Sequence, residues 1–185
     1  ILYPDKVCII GNGVVMDPIT LFEELDGLEA RGKKLARLLI SHGTHIVMPY
    51  HKIIDKLAEN ARSAETKIGT TGRGIGPCYA DKYDRIGIRA EDLVSPEVLK
   101  EKLTTVLKLK NDLLTKIYDA APLDFDEVYS TALKWGERIA PMLSDVFLDI
   151  DAAVRSGANV LFEGAQATLL DIDHGTYPFV TSSSP

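Results

Sequence analysis

The stretch VCIIGNGVVMDP, from Val7 to Pro18, indicates the fold class. Val7–Ile10 is a short apolar run that ends at Gly11-Asn12-Gly13, which is typical of a buried strand entering a turn. Asp17-Pro18 then offers a side-chain acceptor at a helix N-cap, followed by proline at the first helical position. Because apolar residues at helical spacing follow, the stretch predicts a strand, a turn and a helix in succession.

The rest of the chain repeats this alternation. The further predicted elements are strands at Thr44–Met48 and Val160–Phe162, and helices at about Lys52–Ala64, from Ser95 to Ile117 and from Asp126 to Ser156. Pro141 should kink or split the last helix, and Gly157 is placed to cap it. We therefore predict an α/β fold with a partly parallel sheet and flanking helices, formed by residues 1–185 as a single domain. Ligands in such folds bind beyond the carboxyl ends of strands, here after Ile10 and Phe162.

Composition excludes several classes of protein. The chain has 185 residues, of which 26% are charged and 45% hydrophobic, and its net charge is −6. This charge argues against nucleic acid or an anionic membrane as the main partner. No apolar run approaches the roughly 20 residues that span a bilayer, and the first residues lack a signal-peptide pattern. Two cysteines, Cys8 in an apolar strand and Cys78 in an accessible loop, do not suggest a disulfide framework, so we expect a reduced, cytoplasmic protein.

The segment Thr66–Arg89 loses apolar periodicity and is rich in glycine, which predicts a long loop. The runs Thr70-Thr71-Gly72 and Gly74-Ile75-Gly76 offer backbone N–H groups and hydroxyls that can surround an oxyanion. The cations that could assist them are Arg73, Lys82, Arg85 and Arg89. The segment thus predicts an anion cradle, with a flexible surface loop as the alternative. It is not a Walker phosphate loop, because it lacks the Gly-Lys-Ser/Thr ending.

A second polar segment follows the predicted strand Val160–Phe162. Its polar side chains are Gln166, Thr168, Asp171, Asp173, His174, Thr176, Thr181 and Ser182. Asp171, Asp173 and His174 suggest either metal ligands or, as Asp commonly does in turns, residues that brace the loop by hydrogen bonds. An acid–base role for His174 is a third possibility that the sequence leaves open.

The other histidines and the single tryptophan suggest structural roles. His51 and Asp55 lie four residues apart at a helix start, which predicts a pair on a packed surface, with ligand binding as the alternative. His42 and His45 flank a turn and are predicted to face solvent. Trp135 has helical spacing to apolar neighbours and is predicted to lie in the core.

Three of these stretches resemble motifs of the adenylosuccinate synthetase family. GIGPCYADKYDR, from Gly74 to Arg85, is similar to the family signature Gly-Ile-Gly-Pro-x-Tyr-x-x-Lys-x-x-Arg at every specified position. IGNGVVMDP (Ile10–Pro18) and FEGAQATLLDIDHGTYPFVTSS (Phe162–Ser183) also resemble family motifs, in the expected order. The resemblance covers essentially the whole chain and implies part of a P-loop-NTPase-like fold.

The resemblance also implies a reaction and roles for individual residues. In this family GTP phosphorylates O6 of IMP, and L-aspartate then displaces the phosphate to give adenylosuccinate. Thr71 and Thr181 would contact the IMP phosphate, and Gln166 would act catalytically at the purine near O6, where negative charge develops. Arg85 would reach the IMP phosphate of the partner subunit in a homodimer. Lys82, the signature lysine, would have either a catalytic or a supporting role in the loop.

The resemblance further implies what lies outside these residues. The family's phosphate loop, with most of the Mg²⁺ ligands and a general-acid histidine, is expected before residue 1. The guanine-reading and aspartate-binding segments are expected after Pro185. We therefore expect a central portion of the enzyme that is not competent alone. The alternative is a non-catalytic nucleotide-binding or dimerisation module.

Two positions depart from the family pattern. Ala167 stands where glycine is usual, and Ser184 stands where asparagine is usual. Because alanine is disfavoured at positive φ, we expect the backbone beside Gln166 to be shifted.

Overall fold

The computed structural model describes residues 1–184; Pro185, the last residue of the second polar segment, lies outside them. The strands are β1 Val7–Ile10, β2 Val15–Met16, β3 Arg37–Ser41, β4 His45–Ile46 and β5 Leu143–Ser144. The α-helices are α1 Pro18–Ala30, α2 Pro49–Ala61, α3 Ile75–Tyr83, α4 Ala90–Leu93, α5 Pro96–Lys116, α6 Phe125–Ile139 and α7 Val146–Arg155. Short 3₁₀ helices cover Ala140–Met142 and Thr168–Leu170.

The opening strand, turn and helix form as predicted. β1 covers the expected residues, and α1 begins where the Asp17 side chain accepts a hydrogen bond from the backbone N–H of Ile19 at 3.2 Å. This bond satisfies one of the donors that every helix leaves unpaired at its start.

The strands form two parallel sheets, one with the order β1-β3-β5 and one that pairs β2 with β4. This confirms the partly parallel α/β architecture. The central strand, β3, was not predicted. Its run RLLIS is short and does not alternate, and periodicity alone cannot distinguish such a run from a helical segment. Its parallel partners on both sides identify it as a buried strand.

The predicted helix Asp126–Ser156 is wrong as one element. It is divided into α6, a 3₁₀ turn that contains Pro141, the strand β5, and α7. Proline ends the helix because it lacks an N–H group, and Leu143 then pairs with Ile40 of β3. Gly157, at φ +77°, follows α7 in the predicted capping conformation.

The predicted strand Val160–Phe162 is also wrong. These residues have no regular structure, because no strand of residues 1–184 lies alongside to complete their backbone hydrogen bonds. Leu161 and Phe162 are 89% and 75% exposed. The expectation of a ligand site at a strand end therefore fails here, although residues farther along this segment do line a cavity.

The predicted loop Thr66–Arg89 is partly wrong, because Ile75–Tyr83 forms α3. The helix was missed because one position on its buried face is an aspartate, Asp81, instead of an apolar residue. Cys78, predicted to be accessible, is buried on the same face, and burial raises the pKa of its thiol well above its usual range.

A single hydrophobic cluster extends from Met16 to Ile139, and Trp135 belongs to it as predicted. Cys8 is half-buried. The prediction for His42 holds, but His45 is buried, because its ring packs against Gly87, where an added Cβ would lie 2.4 Å from Cδ2. Within residues 1–184, no helix is long and apolar enough to cross a membrane.

Candidate nucleotide site

A cavity of about 470 Å³ lies among three segments, of which the third is far from the other two in sequence. One wall is α2, which contributes Asp55, Glu59 and Arg62 from its last turns and C-terminal end. The second wall runs from Ile68 to Pro77 and includes Thr71. The third comes from the second polar segment and includes Gln166, Thr181 and Ser182. Thr71, Gln166 and Thr181, for which the family resemblance implies one site, therefore line the same cavity.

The first turn of α3 faces this cavity through Ile75, Gly76 and Pro77. Gly74 precedes the helix at φ +79° and lies directly against α2, because an added Cβ would be 2.8 Å from the carbonyl carbon of His51. Unpaired N–H groups and the helix dipole give the start of a helix a partial positive charge. The cavity thus includes a surface suited to an anion.

Side chains of α2 hold the segment that forms the second wall. The carboxylate of the buried Asp55 accepts a hydrogen bond from the N–H of Gly74 at 2.9 Å. The carboxylate of Glu59 accepts from the N–H of Gly69 at 2.7 Å and from that of Ile68 at 3.4 Å. These backbone bonds lower the pKa of Glu59, so this carboxyl group stays ionised near neutral pH.

A buried network joins α2, α3 and α5 beneath the cavity. Nδ1 of His51 accepts a hydrogen bond from the N–H of Met48 at 2.9 Å, so the ring proton must be on Nε2, which donates to Asp81 at 2.9 Å. The other carboxylate oxygen of Asp81 accepts from Lys110 of α5. The network therefore consists of a buried ion pair, Asp81 with Lys110, and a neutral imidazole, His51.

The pKa values of this network agree with that assignment. Burial lowers the pKa of His51, against the opposing effect of its hydrogen bond to Asp81. Burial raises the pKa of Asp81, but the hydrogen bonds from His51 and Lys110 and the charge of Lys110 outweigh it, so that the net pKa is lowered. Asp81 is thus an ionised carboxylate that holds two neighbours from different helices.

The network makes stability dependent on pH. Burial holds the folded-state pKa of His51 below the unfolded value of about 6.5, and protonation would also direct a second N–H at the N–H of Met48. The contribution of neutral His51 to the free energy of unfolding should be complete above that pH. Below it the free energy of unfolding should fall, by up to about 1.4 kcal/mol per pH unit for this group. Urea unfolding between pH 7.5 and 5 measures the slope.

The matched variants for this prediction are His51→Gln, which does not titrate, and His42→Gln at an exposed position. We expect His51→Gln to flatten the slope and His42→Gln to leave it unchanged. An unchanged slope in His51→Gln would show that another group, such as His45, whose pKa burial also lowers, accounts for the effect.

The second polar segment is braced from within. The carboxylate of Asp171 accepts hydrogen bonds from the N–H groups of Asp173 and His174 at 2.8 and 2.9 Å, and these bonds lower its pKa. The N–H of Thr181 donates to the carbonyl of Leu170 at 2.9 Å, which fixes the threonine at the cavity wall. This is the bracing role that the sequence offered for Asp171. Across residues 1–184, no three His, Cys, Asp or Glu side chains are grouped to hold a metal ion.

A family model of adenylosuccinate synthetase matches residues 1–185. The chain belongs to the adenylosuccinate synthetase family. It is 52% identical to the adenylosuccinate synthetase of Bifidobacterium adolescentis and 54% identical to that of Trichodesmium erythraeum, in both cases over its whole length. These alignments cover 43% and 42% of the two relatives, so the chain spans about two fifths of their length.

A solved structure shows the same fold. The fully ligated adenylosuccinate synthetase from Plasmodium falciparum superposes with a TM-score of 0.85 at 33% identity, covering 99% of this chain and 42% of that one. The expected fold is therefore confirmed: the chain forms part of the P-loop-NTPase-like α/β fold of the adenylosuccinate synthetases.

The adenylosuccinate synthetase signature corresponds to α3 and its two ends. Lys82 does not line the cavity; its Nζ donates to the carbonyl of Asn12 at 2.7 Å, while the hydroxyl of Tyr79 donates to that of Gly13 at 3.0 Å. The Gly11–Gly13 turn thus supports α3 and does not form the cavity wall. Arg85 follows the helix, exposed and at φ +63°, and it does not line the cavity either.

The predicted cations of the anion cradle are not at the main cavity. Arg73 lines a second cavity of about 310 Å³ beside β2 and α1, and Arg89 pairs with Glu91. The arginine at the main cavity is Arg62, from the end of α2. Lys82 and Arg85 are close in sequence to the first turn of α3, which lines the cavity. They lie at the other end of the helix, which points away from the cavity.

The alanine at position 167, where the family usually has glycine, causes no backbone strain. Ala167 adopts φ −92° and ψ 168°, an extended conformation open to any residue, so alanine fits there without backbone strain; the shift relative to the family's glycine stays a prediction. Ser184 is exposed, and nothing in the structure explains the replacement at that position.

Glu59, Arg62 and the partners of Asp81 were not predicted from the sequence. A signal was present in the four-residue spacing of His51, Asp55 and Glu59, which places them on one face of a helix. Lys110 gave a second signal, because a lysine within an apolar helical stripe needs a buried carboxylate.

Proposed function

We propose that this chain supplies the IMP-binding portion of an adenylosuccinate synthetase, the GTP-dependent ligase that joins IMP to L-aspartate. One observation carries this proposal: Thr71, the first turn of α3, Gln166 and Thr181 line a single cavity. They come from two stretches of the chain that lie far apart in sequence, and the fold brings them together.

The IMP phosphate would bind between the two threonines. The hydroxyls of Thr71 and Thr181 can donate hydrogen bonds to phosphate oxygens, and the first turn of α3 adds its partial positive charge. Arg62 supplies a full charge on the same wall. Glycines in the second wall let the backbone approach a bulky anion closely.

Gln166 would act at the purine. Its side-chain amide can donate a hydrogen bond to O6 as negative charge develops there during phosphorylation by GTP. A donor already in place stabilises the transition state more than the ground state. We assign Lys82 a supporting role, because its bond to Asn12 attaches α3 to the turn after β1; a catalytic role is the alternative.

GTP, L-aspartate and Mg²⁺ belong to the same proposal. Mg²⁺ would neutralise charge on the GTP phosphates, but residues 1–184 group no three carboxylate, histidine or cysteine side chains around a metal, so we assign no ligand here. We further propose that residues 1–185 act as one domain in a cytoplasmic homodimer, in which Arg85 serves the site of the partner subunit.

Replacing Thr71 tests the cavity assignment. In a full-length synthetase that carries these residues, Thr71→Val should weaken IMP binding about fivefold, the effect of losing roughly 1 kcal/mol of hydrogen bonding. Binding of inosine, which lacks the phosphate, should change little. Calorimetric titration measures both, with the exposed Thr105→Val of α5 as the matched control. Equal weakening of IMP and inosine would argue against a phosphate contact.

A polypeptide limited to residues 1–185 should not turn over GTP in response to IMP. Its sequence contains no Gly-Lys-Ser/Thr phosphate loop to surround the β- and γ-phosphates. A coupled assay for GDP, compared with a mock preparation, measures this. Turnover above the mock level would require a GTP site within these residues and would contradict the division of roles proposed here.

A further inference from the structure

Three polar side chains on one face of α2 contact either the second wall of the cavity (residues 68–77, the phosphate wall) or α3, which continues from it. His51, Asp55 and Glu59 follow one another at every fourth position, so they lie in a row along the helix. Glu59 accepts from Gly69 and Ile68, Asp55 accepts from Gly74, and His51 donates to Asp81. The three side chains therefore attach the chain to α2 at three points: before the start of α3, at its start and within the helix.

The attachment at Gly74 is the tightest of the three. Its N–H bond to Asp55 is buried, and its α-carbon lies so close to α2 that the backbone of His51 fills the space of a side chain. Gly74 also has a positive φ, which turns the chain from the Thr71 loop into α3. A shift of Asp55 would therefore move Thr71 and the first turn of α3 together.

The charges of Asp55 and Glu59 make a different role, direct contact with the ligand, unfavourable. Both residues line the cavity, where a carboxylate repels a phosphate. Their oxygens instead accept hydrogen bonds from Gly69 and Gly74. Those N–H groups are thereby occupied, and the donors left on this wall include the hydroxyls of Thr70 and Thr71 and the start of α3.

We propose that Asp55 is a positioning residue for the IMP phosphate, with Glu59 as its second attachment point. Asp55 holds Gly74 so that Thr71 and the first turn of α3 face the cavity, and the two carboxylates determine which backbone donors remain for the ligand. This inference rests on the proposed IMP site.

The test compares Asp55→Ala with Asp55→Asn in a full-length synthetase that carries these residues. Asp55→Ala should weaken IMP binding about tenfold, because displaced contacts lose much of their strength, while binding of inosine and of GTP should stay within about twofold. In Asp55→Asn the amide oxygen still accepts from Gly74, so IMP affinity should return to at least the unaltered value. Glu101→Ala, an exposed carboxylate on α5, is the control.

Amide exchange provides a readout that needs no ligand. Asp55→Ala should speed exchange of the segment 68–74 and leave that of α5 unchanged, and Asp55→Asn should restore protection. If Asp55→Ala does not fold, Glu59→Ala replaces it, with an expected three- to fivefold loss for IMP alone.

Several results would overturn the inference. Asp55→Ala with unaltered IMP affinity, equal loss for IMP and inosine, or Asp55→Asn as weak as Asp55→Ala would each show that Asp55 does not position the phosphate wall. If Thr71→Val also leaves IMP binding unchanged, the proposed site itself is wrong. If Thr71→Val weakens IMP and Asp55→Ala does not, only the positioning role fails.

Discussion

Arg85→Ala in a full-length synthetase should weaken IMP binding roughly ten- to a hundredfold while leaving GTP affinity nearly unchanged. Loss of a charged hydrogen bond to phosphate costs on the order of 1.5–3 kcal/mol, which corresponds to that range. Arg85 is exposed at the end of α3 and does not line the cavity of its own chain. We therefore expect Arg85 to contact IMP from a second subunit.

The decisive experiment is a complementation assay that mixes two inactive variants, Arg85→Ala and Gln166→Ala. In the mixed dimer, one site keeps its own Gln166 and receives an intact Arg85 from the other chain. Activity should return to at most about a quarter of the unaltered level if subunits pair at random and sites act independently. IMP-dependent GDP release measures it, and mixed dimers must be confirmed separately.

Two controls separate the alternatives. Lys100→Ala, an exposed cation on α5, should leave IMP binding unchanged and so excludes a general charge effect. If mixed dimers form and no activity returns, Arg85 does not act across the interface, and the assignment of Arg85 to the partner's site is wrong.

Asp81→Ala should be the most destabilising single replacement that we predict. It would leave Lys110 buried beneath the cavity without its carboxylate, and would remove the acceptor of the His51 N–H. Breaking a buried ion pair from one side costs about 3–5 kcal/mol. Urea unfolding monitored through Trp135, which lies in the same core, measures the change.

The double variant Asp81→Asn with Lys110→Met distinguishes charge from packing. It removes both charges, retains an amide oxygen for His51, and should recover most of the stability lost in Asp81→Ala. Asp26→Ala, which breaks the exposed pair of Asp26 with Arg138, is the control and should change stability little. A double variant as unstable as Asp81→Ala would show that the shape of the site, and not its charge, is decisive.

The same network explains an error of the sequence analysis. The segment Ile75–Tyr83 looks like a loop because it has few apolar residues at helical spacing, yet it is held by Asp81. A buried carboxylate can replace an apolar anchor only when its partners are present, and these come from α2 and α5. The pattern within one segment cannot show partners that lie in another.

Strand predictions succeeded or failed for a related reason. Val7–Ile10 and Val160–Phe162 are similar apolar runs, but among residues 1–184 only the first has a neighbouring strand, β3, to pair with. β5 has only two residues and exists because it pairs with β3 at Leu143. A strand is defined by its partner, so a local pattern cannot decide it.

The sequence by itself determined the family, the α/β class and the helix starts at Asp17-Pro18 and Ser95-Pro96, and its resemblance to the family implied one site for Thr71, Gln166 and Thr181. Local chemistry and motif order are enough for these, because caps and prolines act on neighbouring residues. Only the tertiary structure placed Arg62 at the cavity and Arg85 away from it, and only it showed that α2 holds the phosphate wall. Those facts depend on distances between segments, and such distances are fixed by packing of the whole core and not by spacing along the chain.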